Sequence, residues 1–392
     1  MARLILADYD ISAERGFLCR HNAPDVTLLG KLGRVRDTAM ALPKTLVTGR
    51  ARTLMLRNLP DNVEPADIAG LTDAEARMAM VHYSFLVQAY VWGEDDAPSV
   101  LPRALAVPIQ ALAQRIGQQP LLPYSGYVLD NWGVFDADKP IDLDNIYMVQ
   151  PFLGGQDEAW FVLVHVAIEA RAGRVLEAIP TILNAIETHD ADTVARELSA
   201  MAEHWAAINA LFDRMPERCD PHTYFTRVRP YIHGWKDNPA LPGGLIYEGV
   251  EEFAGEPQSF RGQTGSQSSI VPTMDALMQV GHADDPLKAY LDQLHIYRPP
   301  GHRNFIDAVR TQSTLRQFVL DTDARELTLA YNGIIQAVAD FRSRHLEYAA
   351  SYIQKQGKTS AGNDPDVGTG GTPFMRYLKK HRDETKARLL AA

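Results

Sequence analysis

Two histidines lie inside stretches that otherwise hold mostly apolar side chains. In "AWFVLVHVAIEA", residues 159–170, apolar residues occupy positions all the way round a helix and His165 interrupts them. A helix apolar on every side is a buried helix, so the imidazole of His165 is carried into the interior. In "NGIIQAVADFRSRHLEYAASYI", residues 332–353, Ile334, Val338, Phe341, His345, Tyr348 and Tyr352 follow at steps of four, three, four, three and four. They form one helical stripe, and His345 points at whatever that stripe covers. Each ring has a plain reading, a core histidine bonded to a carbonyl. The functional reading of His345 is an axial ligand of haem iron, which needs an imidazole held in an apolar wall. Arg342 and Arg344 flank it and could pair with carboxylates of a cofactor, although solvation is the commoner fate of surface arginines.

Two further segments have chemical potential. In "SFRGQTGSQSSIVP", 259–272, the run from Gly262 to Ser269 consists of Gly, Ser, Thr and Gln and precedes a helical pattern. Such a composition is usual for a linker, but glycines before a helix start also let backbone N–H groups converge on an anion. No G-K-[ST] follows, so a nucleotide P-loop is excluded. In "GTGGTPFMRYLKK", Gly368 to Gly371 lead to Thr372 as N-cap and Pro373 at the first helical position. A glycine-rich hinge at the end of the polar stretch 354–372 has the anatomy of a lid, or of a loop and nothing more. There is no H-E-x-x-H, Glu-x-x-His or G-x-S-x-G, which argues against zinc proteases, ferritin-type di-iron helices and α/β-hydrolases.

Helices must position these residues. Apolar spacing of three and four predicts them around 64–92, 101–117, 158–170, 173–188, 190–214, 273–281, 285–294, 303–311, 322–355 and 373–390. Alternation with period two is scarce; "RLILADYD" and "DVTLLG" in the first 60 residues have room for a short strand or two. The expected fold is all-α: a large helical domain over 153–392, preceded by a smaller mixed domain over 1–152. The chain has 392 residues, long enough to enclose a cofactor, and a formal net charge of −10 that disfavours nucleic acid and anionic membranes. Cys19 and Cys219 are its only cysteines. They leave no framework for disulfides, zinc thiolates or covalent haem attachment. No secretory signal or membrane span is read, so a cytoplasmic location is expected.

Seven strings, in order, carry a resemblance: "PYSGYVLDNW" (123–132), "WFVLVHVAIEA" (160–170), "YFTRVRPYIHGWKDNPALPGGLIYEG" (224–249), "RGQTGSQSS" (261–269), "RPPGHRNFI" (298–306), "FRSRHLEYAASYI" (341–353) and "GTGGTPFMRYLKKHRDET" (368–385). Together they resemble the indoleamine 2,3-dioxygenases over most of 120–385, and only weakly before residue 110. The resemblance implies a noncovalent b-type haem, O2 as co-substrate, and opening of the indole ring of L-tryptophan to N-formylkynurenine. It further implies that His345 is the proximal iron ligand and Arg229 the clamp on the substrate carboxylate. Tyr124, Tyr127, Val128, Phe161 and Tyr224 would line the indole pocket. Thr264 and Gly265 would belong to the loop meeting a haem propionate and the substrate ammonium, Arg342 would lie near a propionate with Asp275 as partner, and Thr372 would sit in the lid. An electron donor that keeps the haem ferrous and a monomeric state are also expected.

His165 departs from that pattern. It falls on the distal side, where animal members usually carry serine and the related tryptophan 2,3-dioxygenases carry histidine. A neutral imidazole there is expected to accept the indole N–H and act in catalysis by orienting the ring. Tyr127 and Tyr224 also add hydroxyls to the expected pocket. Two alternatives therefore stand beside the leading one: a haem enzyme modifying another indole, and a haem- or gas-binding protein without activity.

Overall fold

The computed structural model describes residues 4–284, 286–357, 363–366, 368–371 and 374–391. Helices dominate. The amino-terminal part builds on α1 (Gly30–Met40), α2 (Asp73–Trp92) and α3 (Arg103–Ile116). Thr72 caps α2 and Glu75 reaches back to the Thr72 backbone, satisfying two N–H groups at once. From Ala76 to Val91 almost every side chain of α2 is buried, so this helix is wrapped by its neighbours.

The carboxy-terminal part is a series of long helix packings. Helix α4 (Gln156–Glu187) lies on α5 (Ala191–Asp213), α5 on α8 (Arg325–Tyr352), and α8 on α9 (Phe374–Lys386). Two shorter helices, α6 (Ile270–Leu277) and α7 (Pro300–Gln312), close one flank. No described helix is long and apolar enough to cross a membrane.

The segments expected over 158–170 and 173–188 are one continuous helix. Gly173 lies between them because a neighbour needs space, not because the helix ends. A Cβ there would sit 2.4 Å from the Ala13 carbonyl oxygen. The facing Gly16 has φ +58°, and a Cβ on it would sit 2.0 Å from the Glu169 carbonyl oxygen. The amino-terminal strap thus rests directly on the backbone of α4.

Strands are absent from the described part of the first 60 residues. Leu6–Tyr9 is a turn of 3₁₀ helix, and "DVTLLG" runs irregularly into α1. The strands lie later and are short. β1 (Val100–Leu101) pairs in parallel with β4 (Ile246–Tyr247), and β2 (Trp132–Val134) pairs antiparallel with β3 (Ile146–Met148). Single π-helical turns occur at Ser125–Leu129 and Tyr224–Val228, the stretches that carry Tyr127, Val128 and Tyr224. Such turns break helical register and often mark sites that re-aim side chains.

Candidate functional site

Helices α4, α5, α8 and α9, with loops 263–266 and 368–370, bound a cavity that is partly open to solvent. His165 from α4 and His345 from α8 both line it. Phe212 of α5 lies 6.3 Å, centroid to centroid, from each of the two imidazoles. Both rings are half-buried because they face the cavity, while the surrounding protein strips them of bulk water.

His165 Nδ1 is 2.7 Å from the Phe161 carbonyl oxygen, one turn back on α4. A carbonyl can only accept, so the proton belongs on Nδ1 and Nε2 keeps an acceptor lone pair. Burial lowers the pKa of the ring below its ordinary value, outweighing that hydrogen bond. The plain reading of His165 is therefore half right: one nitrogen does bond a carbonyl, and the other remains for a ligand. His345 is pushed down to about 4, by burial first and then by its neighbours His165 and Arg342. A neutral imidazole facing a cavity has the protonation state a metal ligand needs. The apolar wall beside it, made by Phe212, Tyr348 and Ala349, suits a haem face. The residues present fit a haem held by His345.

Phe161 lies 4.7 Å from His165 and 4.8 Å from Tyr224, and Tyr224 meets Tyr352 edge-on at 5.8 Å. Phe161, Tyr224, Thr264 and Gly265 line the cavity. Tyr124, Tyr127, Val128, Arg229 and Arg342 do not, although all are buried close by. Tyr124 stands edge-on to His165 at 6.3 Å. Tyr127 backs Phe161 at 6.3 Å and stacks on Phe85 at 5.8 Å, and its buried hydroxyl has no partner among the described residues. Val128 is completely enclosed.

Arg229 is fully buried and is not among the residues lining the cavity. Its guanidinium donates to the Asn363 side chain and, at 3.1 Å, to the Asp364 carbonyl. Burial lowers its pKa to about 10, which leaves it charged at neutral pH. The glycine-rich segment is docked. Thr369 Oγ1 donates to the Gln263 carbonyl at 2.6 Å, and Arg261 Nη1 donates to the Gly370 carbonyl at 2.5 Å. A Cβ at Gly370 would sit 2.7 Å from the Tyr290 hydroxyl, which would have to move aside. Thr372, expected in the lid, lies outside the described residues, as does Pro373.

Loop 262–269 is pinned rather than a loose linker. Arg298 donates to the Ser266 and Ser268 carbonyls at 2.7 and 3.2 Å, and the Tyr124 N–H donates to Gln267 Oε1 at 2.9 Å. Arg342 pairs with Asp275 at 2.7 Å and also bonds Thr385, tying α8 to α6 and α9. Burial pushes the Asp275 carboxyl up, but the Arg342 guanidinium and His282 together outweigh it and hold the acid at about 2.

Sequence reasoning missed Glu169. It sits one turn beyond His165 on the same apolar helix, which was the available signal. Glu169 Oε1 accepts from Tyr124 Oη at 2.9 Å and from Ser268 Oγ at 2.8 Å, joining the distal helix, the aromatic wall and the pinned loop. Burial raises its pKa to about 7, against the two hydrogen bonds. A carboxyl raised on folding contributes full stability below its unfolded pKa and loses it as pH rises through the folded value. Glu169→Gln is therefore expected to flatten the decline in stability between pH 5 and 8 by ~1–3 kcal/mol. Urea midpoints of both proteins across that range check this, and parallel declines would refute it.

Residues 5–388 match the family described as Indoleamine 2,3-dioxygenase. The chain is similar to indoleamine 2,3-dioxygenase 1 of Rattus norvegicus, with 33% identity over 100% of this chain and 97% of the relative. It is also similar to indoleamine 2,3-dioxygenase 2 of Mus musculus, at 30% over 99% and 96%. Indoleamine 2,3-dioxygenase nanC of Aspergillus nanangensis matches at 31% over 97% and 96%.

Proposed function

The chain belongs to the indoleamine 2,3-dioxygenase family and is an oxidoreductase, and from that premise we propose that it binds b-type haem through His345 and opens the indole ring of L-tryptophan to N-formylkynurenine. The observation that carries the reading is His345, a neutral imidazole on the wall of an aromatic-lined cavity, with a second neutral imidazole facing the same space. Haem iron supplies the binding and activation of O2. The rest is the work of this chain's side chains. Phe161 and Tyr224, in contact with each other at 4.8 Å, offer one wall to the flat apolar part of an indole. His165 Nε2 accepts the indole N–H. Arg229 takes the carboxylate once Asn363 gives way, and the docked lid excludes water.

The test uses ferrous, haem-loaded protein, L-tryptophan and 18O2, with the product read by mass spectrometry. Formylkynurenine carrying two labelled oxygens is expected. Unchanged tryptophan, or a product with one label or none, would sink the reading. The tyrosine hydroxyl of Tyr224 at the cavity wall favours a second substrate, a ring-substituted indoleamine, which a substrate panel under the same conditions would rank.

The orienting role of His165 gives a sharper expectation. His165→Ala should lower kcat/KM for tryptophan by ~2- to 10-fold, the worth of one neutral hydrogen bond. It should leave 1-methyl-tryptophan, which lacks the N–H, nearly unaffected. Equal losses on both substrates would assign His165 a packing role only.

A further inference from the structure

Where the segment after α6 meets α9, three donor-bearing side chains converge. His282, His381 and Glu384 offer ligand atoms that all lie within 4.8 Å of one another. His282 is the hub: Nδ1 is 2.6 Å from Glu384 Oε2, and Nε2 is 3.4 Å from Asp275 Oδ2. His381 packs beside it with ring centroids 4.9 Å apart, and its Nε2 is buried with no hydrogen-bond partner among the described residues. Glu384 Oε1 accepts from the Ala283 N–H at 3.3 Å and lies 3.6 Å from Lys380 Nζ, so its other oxygen is the one turned to the histidines. Nothing in the reading of the haem cavity uses this cluster, although His381 also borders that cavity.

We propose that His282, His381 and Glu384 form a second metal site, which takes a borderline divalent cation such as Zn2+. Two imidazoles and a carboxylate are zinc's own ligand types, and three protein ligands leave one position for water. The surroundings have the form of an outer shell. Asp275 accepts the Nε2 proton of His282, which leaves Nδ1 as the metal-facing lone pair, and Arg342 holds Asp275 in place at 2.7 Å. The cation gives His381 Nε2 the partner it lacks; a buried polar nitrogen left unpaired is costly. Bonds of ~2.1 Å put tetrahedral donor atoms roughly 3.4 Å apart, so the 2.6 Å pair of His282 and Glu384 opens by about 0.8 Å while His381 closes on it by at most about 1.4 Å. On binding, the ion displaces the proton shared between His282 Nδ1 and Glu384 Oε2, and that proton leaves to solvent. The positive charges nearest the site, Arg342 and Lys380, are each already engaged with a carboxylate, Asp275 and Glu384. Because α9 begins directly after the lid segment, a bound cation would clasp the lid's outgoing helix to the segment after α6.

The test uses full-length, haem-loaded protein stripped with chelator and then titrated with ZnCl2. Zinc per chain after desalting is measured by mass spectrometry of the elements, and melting is followed with and without zinc. One retained zinc per chain is expected, with a rise in Tm. His381→Gln and Glu384→Gln should each weaken zinc binding at least about tenfold, and Asp275→Asn by ~10- to 100-fold as an outer-shell change. The Soret band and far-ultraviolet spectrum confirm that each variant is folded and loaded. No zinc retained by the unmodified protein, or equal retention in both ligand variants, overturns the proposal. Neither result depends on turnover of any indole, so the test stands apart from the proposed reaction.

Discussion

His345→Gly is expected to strip haem from the protein and turnover with it, and millimolar imidazole should restore part of both. Altering only the outer partners of a metal-bound histidine costs about 10- to 100-fold in metal affinity or activity. Removing the ligand itself should therefore cost more than about 100-fold. The structure makes this loss separable from unfolding. His345 faces the cavity, and its packing partner Phe212 is itself held by Phe341 at 4.8 Å and Tyr348 at 5.0 Å. Glycine in a helix interior costs about 1 kcal/mol relative to alanine, a penalty that a far-ultraviolet melt reads independently. Haem content from the Soret band, with and without imidazole, decides the matter. A variant that keeps stoichiometric haem and full activity would return His345 to the status of a core histidine.

What could be read from the sequence follows from what is local. The register of a helix is set within a few turns, so the stripe from Ile334 to Tyr352 placed His345 on the cavity side, and the apolar run around His165 placed that ring inside. Glycines were less legible, because a Gly that breaks a helix and a Gly that admits a neighbouring backbone look alike. Gly173, where two predicted segments prove to be one helix, is of the second kind, its neighbour lying some 160 residues earlier in the strap around Ala13. Side chains whose place depends on another segment were harder still. Tyr124, Tyr127 and Val128 were expected at the indole pocket by resemblance, and Arg229 at the substrate carboxylate; all four are buried without lining the cavity. Glu169 was in plain view, but its partner Ser268 is 99 residues away. The pairing of His282 with Glu384 spans 102 residues. No periodicity reports a contact of that range.

Arg229 offers the largest expected effect on substrate choice. Its guanidinium is fully buried and donates to acceptors of the chain itself, the Asn363 side chain and the Asp364 carbonyl. A substrate carboxylate must take the place of at least one of them, and it is the better acceptor because it carries charge and matches the planar fork in two parallel bonds. Truncating one member of a buried, hydrogen-bonded charge pair costs ~2–5 kcal/mol, so Arg229→Met should lower kcat/KM for tryptophan by about 30- to 1,000-fold or more. Lysine should not rescue it, since an ammonium is a point charge without the fork. Tryptamine carries the same indole and ammonium without the carboxylate, and it should lose little in either variant. The ratio of the two substrates is therefore the measurement. If Arg229 only anchors the lid through Asn363 and Asp364, both substrates decline together and the ratio stays where it was. If it clamps the carboxylate, the ratio collapses towards one while tryptamine turnover survives.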